Sequence, residues 1–370
     1  MPTPAEKPEI LLAILTDLSI DHRCYKLAQS LKKLGAQPII YCDLPLHPLG
    51  DAWKEFEVHV LTRKSHLQAF LPVFMVYLLR LLPILLRSRA NIWISLDAPP
   101  LFWLALWGKI RGRTVVYDSH ELFTETPLVQ ARLSRRLFWQ MWEWGGFALI
   151  RKAITVSPAI VEKLRAQNPQ VEFFLLPNMP VKTVWGETPE KPRAGEIRLV
   201  FQGGMRLATG LSELFTALES RPHFQIDLYG AGPEEENLKR AARHSGLGER
   251  ARFHGSVPFE ALPALLAKAH IGIHLMQPVC GSFALTWANK VFDYTQALLP
   301  SLLSENPAHQ ILLQEFAVGV AVDSFSPEAI GKGLDALALR FDDYKGNCAQ
   351  ARERWHWDAQ AQGLGKFLSV

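Results

Sequence analysis

Residues 9–42, EILLAILTDLSIDHRCYKLAQSLKKLGAQPIIYC, read as a strand, a helix and a second strand. Residues 9–15 form a nearly continuous apolar run, the pattern of a strand covered on both faces. Residues 23–35 set Cys24, Leu27, Ala28, Leu31 and Leu34 at helical spacing, and Gly35 closes the helix. QPIIYC (37–42) is the next strand. Three elements so close together open a βαβ unit, and such units build parallel sheets.

The pattern continues outward. NIWISL (91–96), TVVYD (114–118) and KAITVS (152–157) are short strands between helical stretches. A Pro- and charge-rich segment, 177–196, reads as an interdomain linker. A second series follows it: strands at 196–203, 224–230, 251–255, 270–276 and 299–304, with helices near 211–218, 234–245, 259–268 and 289–297. Alternation of this kind predicts an α/β chain of two doubly wound, Rossmann-like domains. The length of 370 residues suits two such domains. We expect domains at 1–185 and 186–350, and a C-terminal helix at 351–370 crossing back to the first.

Composition narrows the function. A net charge of +4 is far short of a nucleic-acid footprint. The four cysteines are scattered, with no CxxC and no metal-ligand spacing, which fits a reducing cytosol. The start lacks the basic residues and long apolar run of a secretory signal, so a cytoplasmic location is expected. The charge is uneven. Residues 1–185 hold 22 Lys and Arg against 15 Asp and Glu, and most of the eleven Trp, Trp139, Trp142 and Trp144 among them. Such a composition is either a basic domain with Trp in its core or a surface that meets anionic lipid. The segment 67–86, LQAFLPVFMVYLLRLLPILL, is long enough to span a bilayer. Arg80, Pro72 and Pro83 argue against spanning. A buried or partly buried helix, or a helix lying on a membrane, remains.

Several motifs carry chemistry. LTDLSIDHRCYKLAQSLKKLG (15–35) runs from a strand end into a helix through Asp21 and Arg23, where Asp21 is either a ligand or a helix cap. VVYDSHELFTE (115–125) puts Asp118, His120 and Glu121 at another strand end. ITVSPAIVEKL (154–164) has Ser157 as an N-cap and Pro158 as the first helical residue. LVFQGGMRLATGLSELFTAL (199–218) is a strand, a Gly-rich turn and a helix, a place where backbone amides approach phosphate. IDLYGAGPEEENLKRAARHSGLGERARFHGSV (226–257) adds a second Gly-rich turn and an acidic helix start. CGSFALTWANKVFDYTQALLP (280–300) carries Asn289, Lys290 and Asp293.

These motifs, in this order, resemble the GT-B fold glycosyltransferases, specifically the family-4-like retaining enzymes (glycosyl transferases group 1). The resemblance runs from Leu11 to the C-terminus. It implies two Rossmann-like domains facing across a cleft and transfer of a sugar from a nucleotide-diphosphate donor. The mechanism would be retaining and metal-independent, with no cofactor beyond the donor substrate. The acceptor would be a glycan or a lipid-linked molecule, in surface polysaccharide or glycolipid assembly.

By resemblance His120 faces the donor sugar and Asp293 holds the ribose. Gly203, Gly204, Arg206, Thr209, Gly230, Gly232, Ser256, Val257, Asn289 and Lys290 bind the donor, with Ser256 and Val257 meeting the base. Asp21, Arg23 and Glu121 lie on the acceptor side. The basic, Trp-rich first domain leaves peripheral contact with the inner face of the cell membrane as one reading, beside that of a Trp-rich core. Two places depart from the family pattern. Gly204 and Thr209 stand where Arg and Lys are usual, and Leu285 stands where the first acid of a Glu-x7-Glu motif belongs. They leave a second reading, a weak or inactive relative that binds a nucleotide sugar or a partner enzyme. A nucleotide-sugar epimerase fits 280–300 poorly. A dinucleotide oxidoreductase is excluded by the glycine-free turn LTDLSID.

Overall fold

The computed structural model describes residues 7–19, 21–43, 48–61, 70–182, 196–277 and 279–370. Most of the expected linker, 183–195, and the first residues of 67–86 lie outside them. The chain divides into two compact units, Met1–Asn178 with Gln360–Val370, and Met179–Ala359.

The first unit runs β1 (Glu9–Ile14), α1 (His22–Lys33), β2 (Gln37–Cys42), β3 (Glu57–Val60), α2 (Phe70–Arg87), β4 (Ile92–Leu96) and α3 (Ala98–Arg111). It continues with β5 (Thr114–Ser119), α4 (Pro127–Gln130), α5 (Leu133–Leu149), β6 (Lys152–Thr155), α6 (Pro158–Gln167) and β7 (Glu172–Leu175). All seven strands are parallel, in the order β3-β2-β1-β4-β5-β6-β7. Leu12 sits between Ile40 and Ile94 and is fully buried, as an apolar run in a sheet covered on both faces requires.

The second unit runs β8 (Ile197–Gln202), α7 (Leu211–Glu219), β9 (Phe224–Tyr229), α8 (Glu235–His244), β10 (Ala251–Gly255), α9 (Leu262–Leu266) and β11 (Ile271–His274). Then follow α10 (Gly281–Leu285), α11 (Asn289–Gln296), β12 (Ser301–Ser304), α12 (Pro307–Glu315), β13 (Gly319–Val322), α13 (Pro327–Leu339), α14 (Phe341–Arg352) and α15 (Trp357–Gln360). Its six parallel strands take the order β10-β9-β8-β11-β12-β13. In both sheets the order doubles back, between β1 and β4 and between β8 and β11. The loops leaving those strand ends diverge and open the position where doubly wound sheets bind ligands.

The C-terminus differs from the expectation of one helix from 351. Trp355 is buried in the second unit, edge-on to Phe292 and Phe316 at 5.6 and 5.4 Å, and Trp357 is buried there too. The chain rejoins the first unit at Gln360, and only the short α16 (Leu364–Leu368) packs in it. There Phe367 stacks on Phe174 at 5.3 Å, and Lys152 donates to the Phe367 carbonyl. Two large indoles are better buried in a core already rich in aromatics than carried out of it.

The hydrophobic segment forms α2, with one buried face. Val73, Phe74, Tyr77, Leu78, Leu81 and Leu85 are buried, while Met75, Leu79 and Leu86 are exposed. Arg80 donates to the Leu61 carbonyl at 2.6 Å. No helix among the described residues is long and apolar enough to cross a membrane.

Candidate active site

In the first unit, β4 and β5 end side by side, with Leu96 opposite Asp118. Asp118 is fully buried and takes both Nε and Nη2 of Arg23, the shortest contact being 2.6 Å. Arg23 Nη1 donates to the Leu176 carbonyl at 2.8 Å. Arg23 is 2% exposed, and its guanidinium is engaged inside the first unit. It ties α1 to β5 and to the end of β7, and it neutralises Asp118. Asp21, the other residue expected there, caps α1 by accepting from Cys24 N at 2.8 Å.

His120 Nε2 lies 3.5 Å from Asp118 Oδ2, an ion-pair distance. Burial opposes charge on His120, but Asp118 outweighs it and raises the imidazole above its ordinary value. Burial would raise Asp118 as well, yet Arg23 and His120 bring it down to about 2. Glu121 is half-buried, and its carbonyl accepts from Ser119 Oγ at 2.7 Å.

Sequence reasoning missed Asp97, at the point where the strand order doubles back. It is the first residue after β4, with φ 66° and ψ 176°, a conformation that favours glycine. Its N–H donates to the Asp118 carbonyl at 2.9 Å, its carbonyl accepts from Ser95 Oγ, and its carboxylate accepts from Ala98 N. Burial pushes its carboxyl up to about 7, resisted by His120 and assisted by Glu121. The sequence SLDAPP shows a helix cap there; the strain is invisible without coordinates.

In the second unit, β8 ends in the turn Gly203–Gly210. Gly203 has φ +123°, and its N–H donates to the Tyr229 carbonyl. Met205 N donates to the Ala231 carbonyl. The exposed Gly204 between them makes no such bond among the described residues. A Cβ on Gly230 would lie 2.0 Å from the Gly203 carbonyl oxygen, and one on Gly232 would lie 2.2 Å from that of Met205. Gly230 and Gly232 therefore seat one Gly-rich turn against the other. Thr209 is buried and closes the turn by donating to the Arg206 carbonyl at 3.1 Å, so its hydroxyl is spent on the loop itself. Ser256 is exposed just beyond β10, and Val257 packs on the core beside Tyr229.

Helix α11 begins at the exposed Asn289 and brings Lys290 to this turn. Lys290 Nζ sits 4.3 Å above the Phe201 ring, and a Cβ on Gly203 would lie 3.0 Å from it. Burial lowers Lys290 to about 8, with Asp293 opposing and the neighbouring Arg206 adding to the fall. The side chains of Arg206 and Lys290 make no hydrogen bond or ion pair among the described residues. Two cations with no ion pair among the described residues thus flank the Gly203–Gly204 turn, an arrangement suited to a diphosphate. Asp293 is 9% exposed and accepts from Gln202 Nε2 at 2.6 Å, while Gln202 Oε1 is buried without a partner. No cluster of His, Cys, Asp and Glu able to hold a metal ion occurs among the described residues.

Two doubly wound units of parallel strands, with a histidine beside a buried aspartate in one and a glycine turn beside two cations in the other, have the architecture of a GT-B type glycosyltransferase. The model of Glycosyltransferase Family 4 matches residues 21–178, and that of Glycosyl transferases group 1 matches residues 188–350. The chain belongs to the GT-B, family-4-like glycosyltransferases. No curated protein matches.

Solved structures agree on the fold. Sucrose-phosphate synthase from Thermosynechococcus elongatus superposes with a TM-score of 0.76 at 15% identity, over 98% of each chain. Anabaena HepE in complex with UDP gives 0.74 at 12% identity, over 98% of this chain and 99% of that one. The pneumococcal O-GlcNAc transferase GtfA, with UDP and GlcNAc, gives 0.70 at 10% identity, with the same coverage.

Proposed function

We propose that this enzyme transfers a sugar from a nucleotide-diphosphate donor to a glycan or lipid-linked acceptor, with retention of configuration. The process would be surface polysaccharide or glycolipid assembly, on the cytoplasmic side of the cell membrane. The observation that carries the reading is the pair of cations, Arg206 and Lys290, beside the Gly203–Gly204 turn, neither in an ion pair among the described residues. A leaving diphosphate needs such neutralisation, and cations fixed before the reaction cost no reorganisation. Asp293 and Gln202 would meet the ribose, and Ser256 with Val257 the base. In the first unit Asp118, held by Arg23, would orient and charge His120 toward the donor sugar. The departures at Gly204 and Thr209 support a weak relative less than they first suggest, because Lys290 supplies a cation from another element. HepE and GtfA, in complexes with UDP, support a uridine diphosphate donor.

The test is thermal shift with nucleotides and nucleotide sugars, since a ligand that binds only the folded state raises Tm by mass action. One diphosphate series should stand out. The shift should vanish in Asp293→Ala and shrink in Lys290→Met. Transfer should persist in EDTA. No shift with any nucleotide would sink the donor site, and loss of transfer in EDTA would sink the metal-independent mechanism.

A further inference from the structure

Helix α5 carries a stripe that the fold leaves uncovered. Leu133, Leu137, Met141 and Trp144 recur at helical spacing on one face, and they are 69, 50, 72 and 73% exposed. The opposite face is the packed one. Trp139 is buried against Phe123 and Phe74, and Trp142 donates its Nε1–H to the Ala98 and Pro99 carbonyls. The Trp cluster of the sequence is thus split between core and surface, with Trp144 alone of the three on the surface.

The neighbouring helix exposes apolar side chains of its own. α2 packs on α5 through Phe74, which meets Phe138, Trp139 and Trp142 edge-on. α2 also exposes Met75, Leu79 and Leu86. Scattered apolar side chains on a surface are ordinary, but a stripe of four along one face of a helix is not.

The charge is equally one-sided. Arg132, Arg135 and Arg136 stand exposed at the N-terminal end of α5, and no acid lies in its first turn. None of the three makes an ion pair among the described residues; Arg135 donates to the Leu128 carbonyl. A helix N-terminus is a poor place for cations unless an external anion compensates them. Arg87 and Arg89 are exposed at the far end of α2.

We propose that the exposed face of α5 docks this protein on an anionic lipid surface. Trp144, Met141, Leu137 and Leu133 would enter the interface, and Arg132, Arg135 and Arg136 would meet lipid phosphates. A second copy of the chain is the competing occupant, but three clustered arginines would repel their own kind across a two-fold contact.

The test is co-sedimentation with vesicles of phosphatidylcholine alone and with added phosphatidylglycerol, at low and high salt. Two variants are compared with the parent: Met141→Gln with Trp144→Gln, and Arg132→Glu with Arg135→Glu and Arg136→Glu. A control, Leu339→Gln, changes an equally exposed leucine of the second unit. All altered side chains are exposed, so circular dichroism and Tm should match the parent. The parent and control should bind anionic vesicles and release in salt. Loss of each positive charge should weaken binding about fivefold, so the charge variant, which reverses three, should lose more than about a hundredfold. The apolar variant should lose binding even at low salt. Equal binding by parent and both variants would overturn the proposal. So would an absence of vesicle binding together with a dimer that the apolar variant dissociates.

Discussion

Two buried charges show how much a single side chain decides. Lys290 sits half-buried over Phe201 with its pKa near 8. Its folded value is below its unfolded one, so the folded state gains stability as pH rises from about 8 toward 10.5. Anion binding runs the other way, because the ammonium is lost over the same range. UDP affinity, followed by calorimetry, should therefore weaken between pH 7 and 9.5, and Lys290→Met should be weak and flat across it. Arg23 carries a different burden. Arg23→Leu would leave Asp118 buried and unpaired, a loss of about 3–5 kcal/mol. Urea unfolding at pH 7 should show it, and a value under 1 kcal/mol would contradict the pairing. Both residues stood out in the sequence, Arg23 as a residue of the acceptor side. Its burial was not legible, because a surface arginine and a buried one look alike until its partner, distant in sequence, is known.

At the scale of elements, the glycines of the second unit are a fit between two turns. Gly230 has φ +136° and its missing Cβ makes room for the Gly203 carbonyl. Gly230→Ala should destabilise by more than 2 kcal/mol, through strain and overlap together, and should abolish nucleotide binding. Retained binding with an unchanged Tm would show that the turns are not in register. Leu298 is the reverse case. It occupies the left-handed region at φ 59°, yet its side chain is buried in the second core. Burial of a leucine is worth about 1.5–3 kcal/mol, enough to hold a conformation that costs roughly 1–2. The strands were legible because parallel strands covered on both faces are plain apolar runs. Element ends within 351–370 were not, because burial of Trp355 and Trp357 decided them.

For the whole molecule, each unit has its own parallel sheet, and the proposed donor turn and the proposed lipid-docking helix lie in different units. Hydrogen exchange separates them. UDP should protect residues 203–210 and the start of α11, leaving β4 and β5 unchanged. Anionic vesicles should protect α5 and leave the second unit unchanged. Protection of the β8 turn by vesicles alone would contradict the assignment. The amino-acid sequence by itself determined the α/β class, the two series of strands and the motifs of a glycosyltransferase, because those rest on local periodicity and spacing. The tertiary structure alone decided that Arg23 serves Asp118, that Asp97 is strained beside it, that Lys290 reaches the β8 turn and that Trp144 faces outward while Trp139 does not. Each of these depends on which distant residue packs alongside, and burial and pairing are properties of the folded neighbourhood rather than of the order of residues.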